Sequence, residues 1–338
     1  MQTVRPRIPA KSFILIILAG CILSCSTEPD PVSKIIPEDS YTITVALDGT
    51  VWTGCIQGLM SWSADEWKLH DIDDLEKSTI RDMIISYRTG SPELWVAHNN
   101  GVMVVQVSGD SVISHRQYKT SNSGLLDDDV YAVVEDSQGN IWFASPSGLS
   151  ILADSHWYNE LNRGLLAMYP VNCLAARSDG FVMGGTSGLG VARHKYDDQV
   201  DAVTGASYYT SEWSGLQSDQ VLSAMIEEND DQWFGTEYGL YEHRSFETKI
   251  EWTMYTRQDG LLCDTIISIV MDQEGVFWYG SPHGLVSYDG NSWNSFTVSD
   301  GLAGNEINDL AINADGVLWV ATNKGVSTIT DGIVNTFE

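Results

Sequence analysis

Basic residues are scarce in this sequence: 18 Lys and Arg stand against 46 Asp and Glu, a net charge of −28. Three of the basic residues, Arg5, Arg7 and Lys11, precede the first acidic one, which leaves 15 against 46 for the rest. Such a body repels phosphate backbones and anionic lipid head groups, so nucleic acid is excluded as a partner. Neutral, cationic or metal-bridged partners fit better. Cysteine is also sparse. Beyond Cys21 and Cys25 only Cys55, Cys173 and Cys263 remain, an odd number with no short spacing. That excludes a disulfide framework and any CxxC metal frame, and predicts small buried or loop thiols. There is no sustained helical periodicity, no GxSxG elbow, no HExxH helix and no glycine-rich phosphate loop. The acidic runs "DIDDLE" (71–76) and "EENDD" (227–231) lack the ligand order and glycine of a calcium loop. No cofactor and no metal are expected, and no catalytic residue is assigned.

Long apolar runs are absent too, apart from "SFILIILAGCILSC" at 12–25, which follows the basic stretch. It is too short and wrongly flanked for a membrane span and reads as a secretion signal. "LAGC" at 18–21 has the form of a lipobox, with Cys21 as the lipid-attached residue and Cys25, after "ILS", as the alternative. The expected organisation is a lipoprotein signal peptide over 1–21, a flexible tether over 22–40 and a single domain over 41–338. The expected location is a bacterial cell envelope, periplasmic or on the outer membrane, with membrane contact through the lipid alone.

What the sequence does have is a repeat. The frame Trp, five residues, Gly occurs at Trp52–Gly58, Trp95–Gly101, Trp142–Gly148, Trp233–Gly239, Trp278–Gly284 and Trp319–Gly325. "GFVMGGTSGLGV" supplies a seventh if Met183 replaces Trp and the loop is one residue shorter, ending at Gly188. A period in the forties marks a solenoid, propeller or array. Around each Trp lie short runs rich in Val, Ile, Tyr and Trp, punctuated by Gly, Asp, Asn and Ser. Four such strands per unit, seven times over, predict an all-β, seven-bladed β-propeller of four-stranded antiparallel blades. The tryptophans are expected to pack between blades, each indole burying about 150–250 Å². Blade one is expected to start with its own inner strand near Tyr41–Leu47 and blade seven to end with its own outer strand near Ile333–Phe337. The two would then meet by face packing alone.

In a propeller the loops between strands B and C and between D and A share one face around the channel mouth. The repeat identifies both sets, and they differ from blade to blade. Together they predict a mouth gathering His98, Asn99, Asn100, Asp128, Tyr169, Asp219, Glu237, Tyr238, Asp264, His283, Glu306, Asn323 and Lys324. Rings, carboxylates and amides in one place suit a polar neutral ligand such as a glycan, which offers C–H faces and hydroxyls.

"NSGLLDDDVYAVVEDSQGNIWFASPSGLSIL" (122–152), "DGLLCDTIISIVMDQEGVFWYGSPHGLVSYDG" (259–290) and "DGLAGNEINDLAINADGVLWVATNKGVSTIT" (300–330) resemble the two-component regulator propeller repeat. The resemblance runs from about residue 41 to 338, weaker in blades one, two and four. It implies an extracytoplasmic sensor propeller of a kind that detects glycan fragments. The motif positions are structural, so it assigns no binding residue. The chain shows no membrane span, immunoglobulin-like domain or kinase segment, so the sensing role carries over only as binding. The expected function is non-enzymatic binding of a glycan or other polar small molecule, in sensing or uptake. The rival readings are a protein-protein interaction scaffold of the envelope and a propeller-type lyase or hydrolase.

Met183 leaves less aromatic area in blade four, and "RHKYDDQVDAVTGASYYT" (193–210) lengthens the exit from it. Hydrogen exchange should find this blade or its exit hairpin among the least protected regions. Uniform protection across the seven blades would contradict the expectation.

Overall fold

The computed structural model describes residues 35–159, 169–197, 202–246 and 249–337. They form seven four-stranded antiparallel sheets, over residues 40–70, 80–118, 132–159, 171–209, 221–255, 268–296 and 307–336. In each sheet the strands lie in chain order A-B-C-D. Strand A of every blade neighbours strand A of the next, blade seven meeting blade one, so the A strands line a central channel. This is a closed seven-bladed β-propeller. Among the described residues the one helical element is a 3-10 turn, Val298–Asp300, and no helix is long and apolar enough to cross a membrane. The signal segment, Cys21, Cys25 and the tether before Ile35 lie outside the described residues.

The core is a ring of seven clusters, one per blade interface. Trp52 of blade one packs on Ile80, Met83, Leu94 and Val96 of blade two. Trp95, Trp142, Trp233, Trp278 and Trp319 repeat this contact around the ring, and Met183 fills the same slot in blade four. Two residues beyond the Trp, strand B carries only Gly or Ala: Gly54, Ala97, Ala144, Gly185, Gly235, Gly280 and Ala321. The reason is steric. A Cβ on Gly54 would lie 2.4 Å from Cγ2 of Ile80, the first residue of the next strand A. Large residue, gap, small residue is the socket into which the next blade's aliphatic fits.

The frame's second glycine turns the B–C hairpin with positive φ, 116° at Gly58 and 143° at Gly284. In blade four this role falls to Gly190 and not to Gly188. The Gly190 carbonyl accepts the Thr186 hydroxyl, as the Gly284 carbonyl accepts that of Ser281. A Cβ on Gly190 would strike the Tyr209 carbonyl, as one on Gly101 would strike that of Tyr118. The loop is therefore one residue longer than the others, where the sequence predicted one shorter, and the extra length brings in Leu189. The long exit is the C–D hairpin of the blade itself, Val191–Asp197 with Ala202–Tyr209.

Blades one and seven each complete their own four strands, as expected. Their junction has more than face packing. Asp309 accepts the Thr42 hydroxyl and the Ile43 amide, both at 2.9 Å, and Asn308 donates to the Ser40 carbonyl. Trp62, Trp67, Trp319 and Phe337 form an aromatic cluster across it. Residues 35–39, expected to belong to a flexible tether, dock there without forming a strand. Ile36 packs on this cluster, and Gln57 bonds to the Ile36 carbonyl and the Glu38 amide.

The A–B turns carry a second device. Asp136, six residues before Trp142, accepts the amides of Gln138 and Asn140 and the indole N–H of Trp142 at 2.8 Å. Glu227 and Asp272 hold Trp233 and Trp278 likewise. Asn313 closes the equivalent turn of blade seven, but the indole nitrogen of Trp319 has no partner among the described residues. Asp136→Ala should therefore cost about 3 kcal/mol, since it strands a buried indole N–H as well as the turn. Asn313→Ala should cost only about 1 kcal/mol, because its turn amides can find water. Chemical denaturation of the two variants checks this; equal losses would contradict it.

Candidate functional site

Aligning the seven A strands places two rings of side chains on the channel. The outer ring is Tyr41, Arg81, Tyr131, Asn172, Leu222, Ile267 and Asn308; the inner is Thr42, Asp82, Ala132, Cys173, Ser223, Ser268 and Asp309. All of these except the buried Thr42, together with neighbouring strand residues, line a cavity of about 280 Å³. In five blades a β-bulge between the first and third residues of strand A pushes the outer-ring residue out of the ladder. Arg81 is held by both oxygens of Asp129 and lies over the Tyr131 ring at 4.8 Å. The sequence analysis missed these residues. Their signal was present: a column of five residue types in seven blades, directly after a column that is aliphatic in six of them.

Two inner-ring carboxylates link strand A to its neighbour. Asp82 accepts the amides of Met83 and of Val133 in the next blade, both at 2.8 Å. Asp309 accepts from Thr42, Ile43, Ser268 and Leu310. Water can enter the channel, yet protein encloses both groups. Burial, and then the charge of Asp309, push Asp82 up to about 7, against the pull of its two amides. Burial raises Asp309 as well, against its four hydrogen bonds. Cys173, in the same ring, is pushed up to about 12 by burial, so it stands as a neutral thiol.

The predicted mouth residues divide into two groups. Asp128, Asp219 and Asp264 are loop clamps: they accept the amides of Thr120, Ser211 and Arg257 at 2.6, 2.6 and 2.8 Å. Asn99 accepts the Thr79 amide, and Asn323 donates to Glu306 at 3.1 Å. His98 is fully buried, and both its ring nitrogens lack a partner among the described residues. It occupies the position where Ser145, Thr186, Thr236, Ser281 and Thr322 donate a hydroxyl to the turn carbonyl, and Cys55 a thiol. Burial, reinforced by Lys119, lowers it to about 4, so it is neutral. By contrast Glu237, Tyr238, His283, Glu306 and Lys324 are exposed, with Tyr238 at 61 %. Tyr169 is half-buried beside a segment outside the described residues. Asn99 and Asn100 line a cleft of about 520 Å³ with Asp73, Asp74, Glu76 and Lys77. Among the described residues no group of three or more His, Cys, Asp or Glu is placed to hold a metal ion, and Cys55, Cys173 and Cys263 are free thiols.

A scaffold of this kind, with its unequal face, defines a repeat propeller whose variable positions cluster around the channel. Residues 124–147 and 301–324 match the family model described as two component regulator propeller, and the chain carries repeats of that family. No curated protein matches the chain. Solved structures with a similar fold include virginiamycin B lyase of Staphylococcus aureus, at 14% identity and TM-score 0.65, covering 88% of this chain and 96% of that one. PorZ, a surface component of the type-IX secretion system of Porphyromonas gingivalis, gives 16% identity and TM-score 0.66, over 89% of this chain and 48% of PorZ. The extracellular domain of the one component system BT4673 of B. thetaiotaomicron gives 15% and 0.52, over 88% and 46%. At these identities the likeness is one of fold.

The channel carboxylates make stability depend on pH in an unusual direction. The pKa of Asp82 is higher in the folded chain than the roughly 3.9 of an unfolded Asp. Its contribution is thus complete at low pH and is lost as pH rises through about 7. Ordinary carboxylates are already ionised by about pH 6. Over the same range the buried His70, His98, His194 and His243, whose pKa values burial lowers, contribute stability that grows with pH. Asp82 is therefore isolated by difference: the melting temperature of Asp82→Asn minus that of the parent should rise between about pH 6 and 8.5. Calorimetry at the two pH values checks it, and an unchanged difference would contradict it.

Proposed function

We propose that this chain is a non-enzymatic ligand-binding propeller of the bacterial envelope, lipid-anchored through Cys21 or Cys25, that takes a glycan or similar polar neutral molecule at its channel face. The observation that carries this reading is the contrast between scaffold and face. Sockets, turn glycines and loop clamps repeat around the ring, whereas the side chains left exposed at the mouth do not. Tyr238, His283, Glu237 and Lys324 occupy equivalent B–C loops and share no chemistry. Beneath them the outer ring offers Tyr41, Arg81, Tyr131, Asn172 and Asn308. Unlike groups around one opening suit an asymmetric ligand that both stacks and hydrogen-bonds. The repeat family and the extracellular origin of the BT4673 domain support an envelope setting. The acidic balance supports a ligand without negative charge.

Tyr238→Ala and His283→Ala should each weaken ligand binding by about 1–3 kcal/mol with little loss of stability. Trp278→Ala, close by in sequence, should cost about 3–5 kcal/mol of stability and affect binding only through unfolding. Calorimetry of binding and of melting separates the two effects. Unchanged affinity in both mouth variants would overturn the site. Turnover lost on chelation or in a His283 variant would indicate an enzyme, and a protein partner lost only through rim changes would indicate a scaffold.

A further inference from the structure

We propose that the groove between the B–C loop of blade four and the loop that leaves that blade, lined by Leu189, Tyr208, Thr210 and Trp213, is a saccharide subsite in which Trp213 stacks against a neutral sugar ring. It rests on the reading of this face as a binding surface and adds a named place and ligand class to it. Of the twelve tryptophans, Trp213 is the one exposed indole among the described residues, 82 % accessible.

The D–A loops show why this residue is not there for the fold. Four of them share one layout, and in three the fourth residue is an Asx that accepts the loop's first amide. Asn122 accepts from Lys119 at 2.7 Å, Asp259 from Thr256 at 2.8 Å and Asp300 from Thr297 at 3.0 Å. In two of these the same carboxylate also accepts the threonine hydroxyl, at 3.1 Å in Thr256 and 3.0 Å in Thr297. Trp213 stands at that position in the fourth loop and can accept neither. As a result the Thr210 hydroxyl oxygen is buried without a partner among the described residues. The loop has given up a cap, and it exposes an indole beside an unsatisfied hydroxyl.

A second departure from the repeat meets the first. The extra residue of the blade-four B–C loop brings Leu189 to the other side of the same groove. Two independent irregularities thus converge on one cavity of about 440 Å³, within the roughly 300–1,000 Å³ of small-molecule sites. Among the described residues no charged side chain lines it, which favours a neutral ligand. An exposed indole and a leucine side chain lining one groove suit the C–H face of a pyranose, whose hydroxyls stay in solvent.

The test uses Trp213→Asp, which restores the cap of the sister loops and should melt at or above the parent temperature. Trp213→Phe keeps a stacking face. The probes are neutral glucan, xylan and mannan hexasaccharides, read by calorimetry and by protection of the exposed indole from acrylamide quenching. At least one should bind and shield Trp213. Trp213→Asp should lose about tenfold or more in affinity, equivalent to roughly 1.4 kcal/mol, while Trp213→Phe loses less. Binding unaffected by Trp213→Asp but weakened by Tyr238→Ala or His283→Ala would overturn this subsite and leave the broader reading standing. If none of these saccharides binds, the subsite falls, and the broader reading stands only if a non-saccharide polar ligand binds and is weakened by Tyr238→Ala or His283→Ala. If only the apolar dye ANS binds, and Trp213→Asp abolishes it, the groove takes an apolar partner and the saccharide assignment is wrong.

Discussion

The contact between the strand-B socket of one blade, its aromatic and its small residue, and the aliphatic side chains of the next sets the terms for the rest of the molecule. A single four-stranded blade has two faces to cover and too little volume to bury either. Packing blades face to face covers both, provided that each presents the same large residue and the same gap. Here the large residue is Trp in six blades and Met183 in blade four, and the small residue is Gly or Ala throughout. An indole burying about 150–250 Å² is worth roughly 4–6 kcal/mol before entropy is counted. The geometry tolerates Met183 because Val191, Leu216, Val221, Phe234 and Tyr241 close around it.

Closing the ring creates a cost at its centre. The inner edge of each strand A faces the channel, where no further strand can pair with it. Side chains do that work instead. Asp82 and Asp309 take backbone amides of the following blade, Ser223 donates to the Ile266 carbonyl, and Asn172 and Asn308 donate to carbonyls of Val221 and Ser40. Buried polar groups of this sort must be satisfied locally. The channel wall is therefore polar for structural reasons before any ligand enters, and the raised pKa of Asp82 belongs to that solution.

Regularity makes deviations informative. His98 in place of a turn hydroxyl, Arg81 braced by Asp129, the longer B–C loop of blade four and Trp213 in place of a capping Asx all break the pattern of their sister positions. Where a departure leaves a polar atom unsatisfied or an indole in water, the fold gains nothing from it. Trp213, exposed, is therefore where the proposed subsite is placed, whereas His98, fully buried, is not open to a ligand.

Fold class, blade count, strand order and the packing role of the tryptophans were legible in the sequence. Each rests on local pattern: alternation along strands, glycine at positive φ, and a frame recurring with nearly constant spacing. The loops that form the mouth were legible for the same reason. What the sequence did not reveal was which polar residues in those loops remain free. Asp128, Asp219 and Asp264 look like recognition groups when read along the chain, but backbone amides seven or eight residues earlier claim them. His98 is buried, and Asp82 and Asp309, from blades two and seven, line one cavity, where the charge of Asp309 acts on Asp82. Leu189 and Trp213 share a groove only because the B–C loop of blade four and the following D–A loop fold onto each other. Such pairings depend on ring closure and on competition for hydrogen bonds, which are properties of residues brought together in space, and tertiary structure alone decides them.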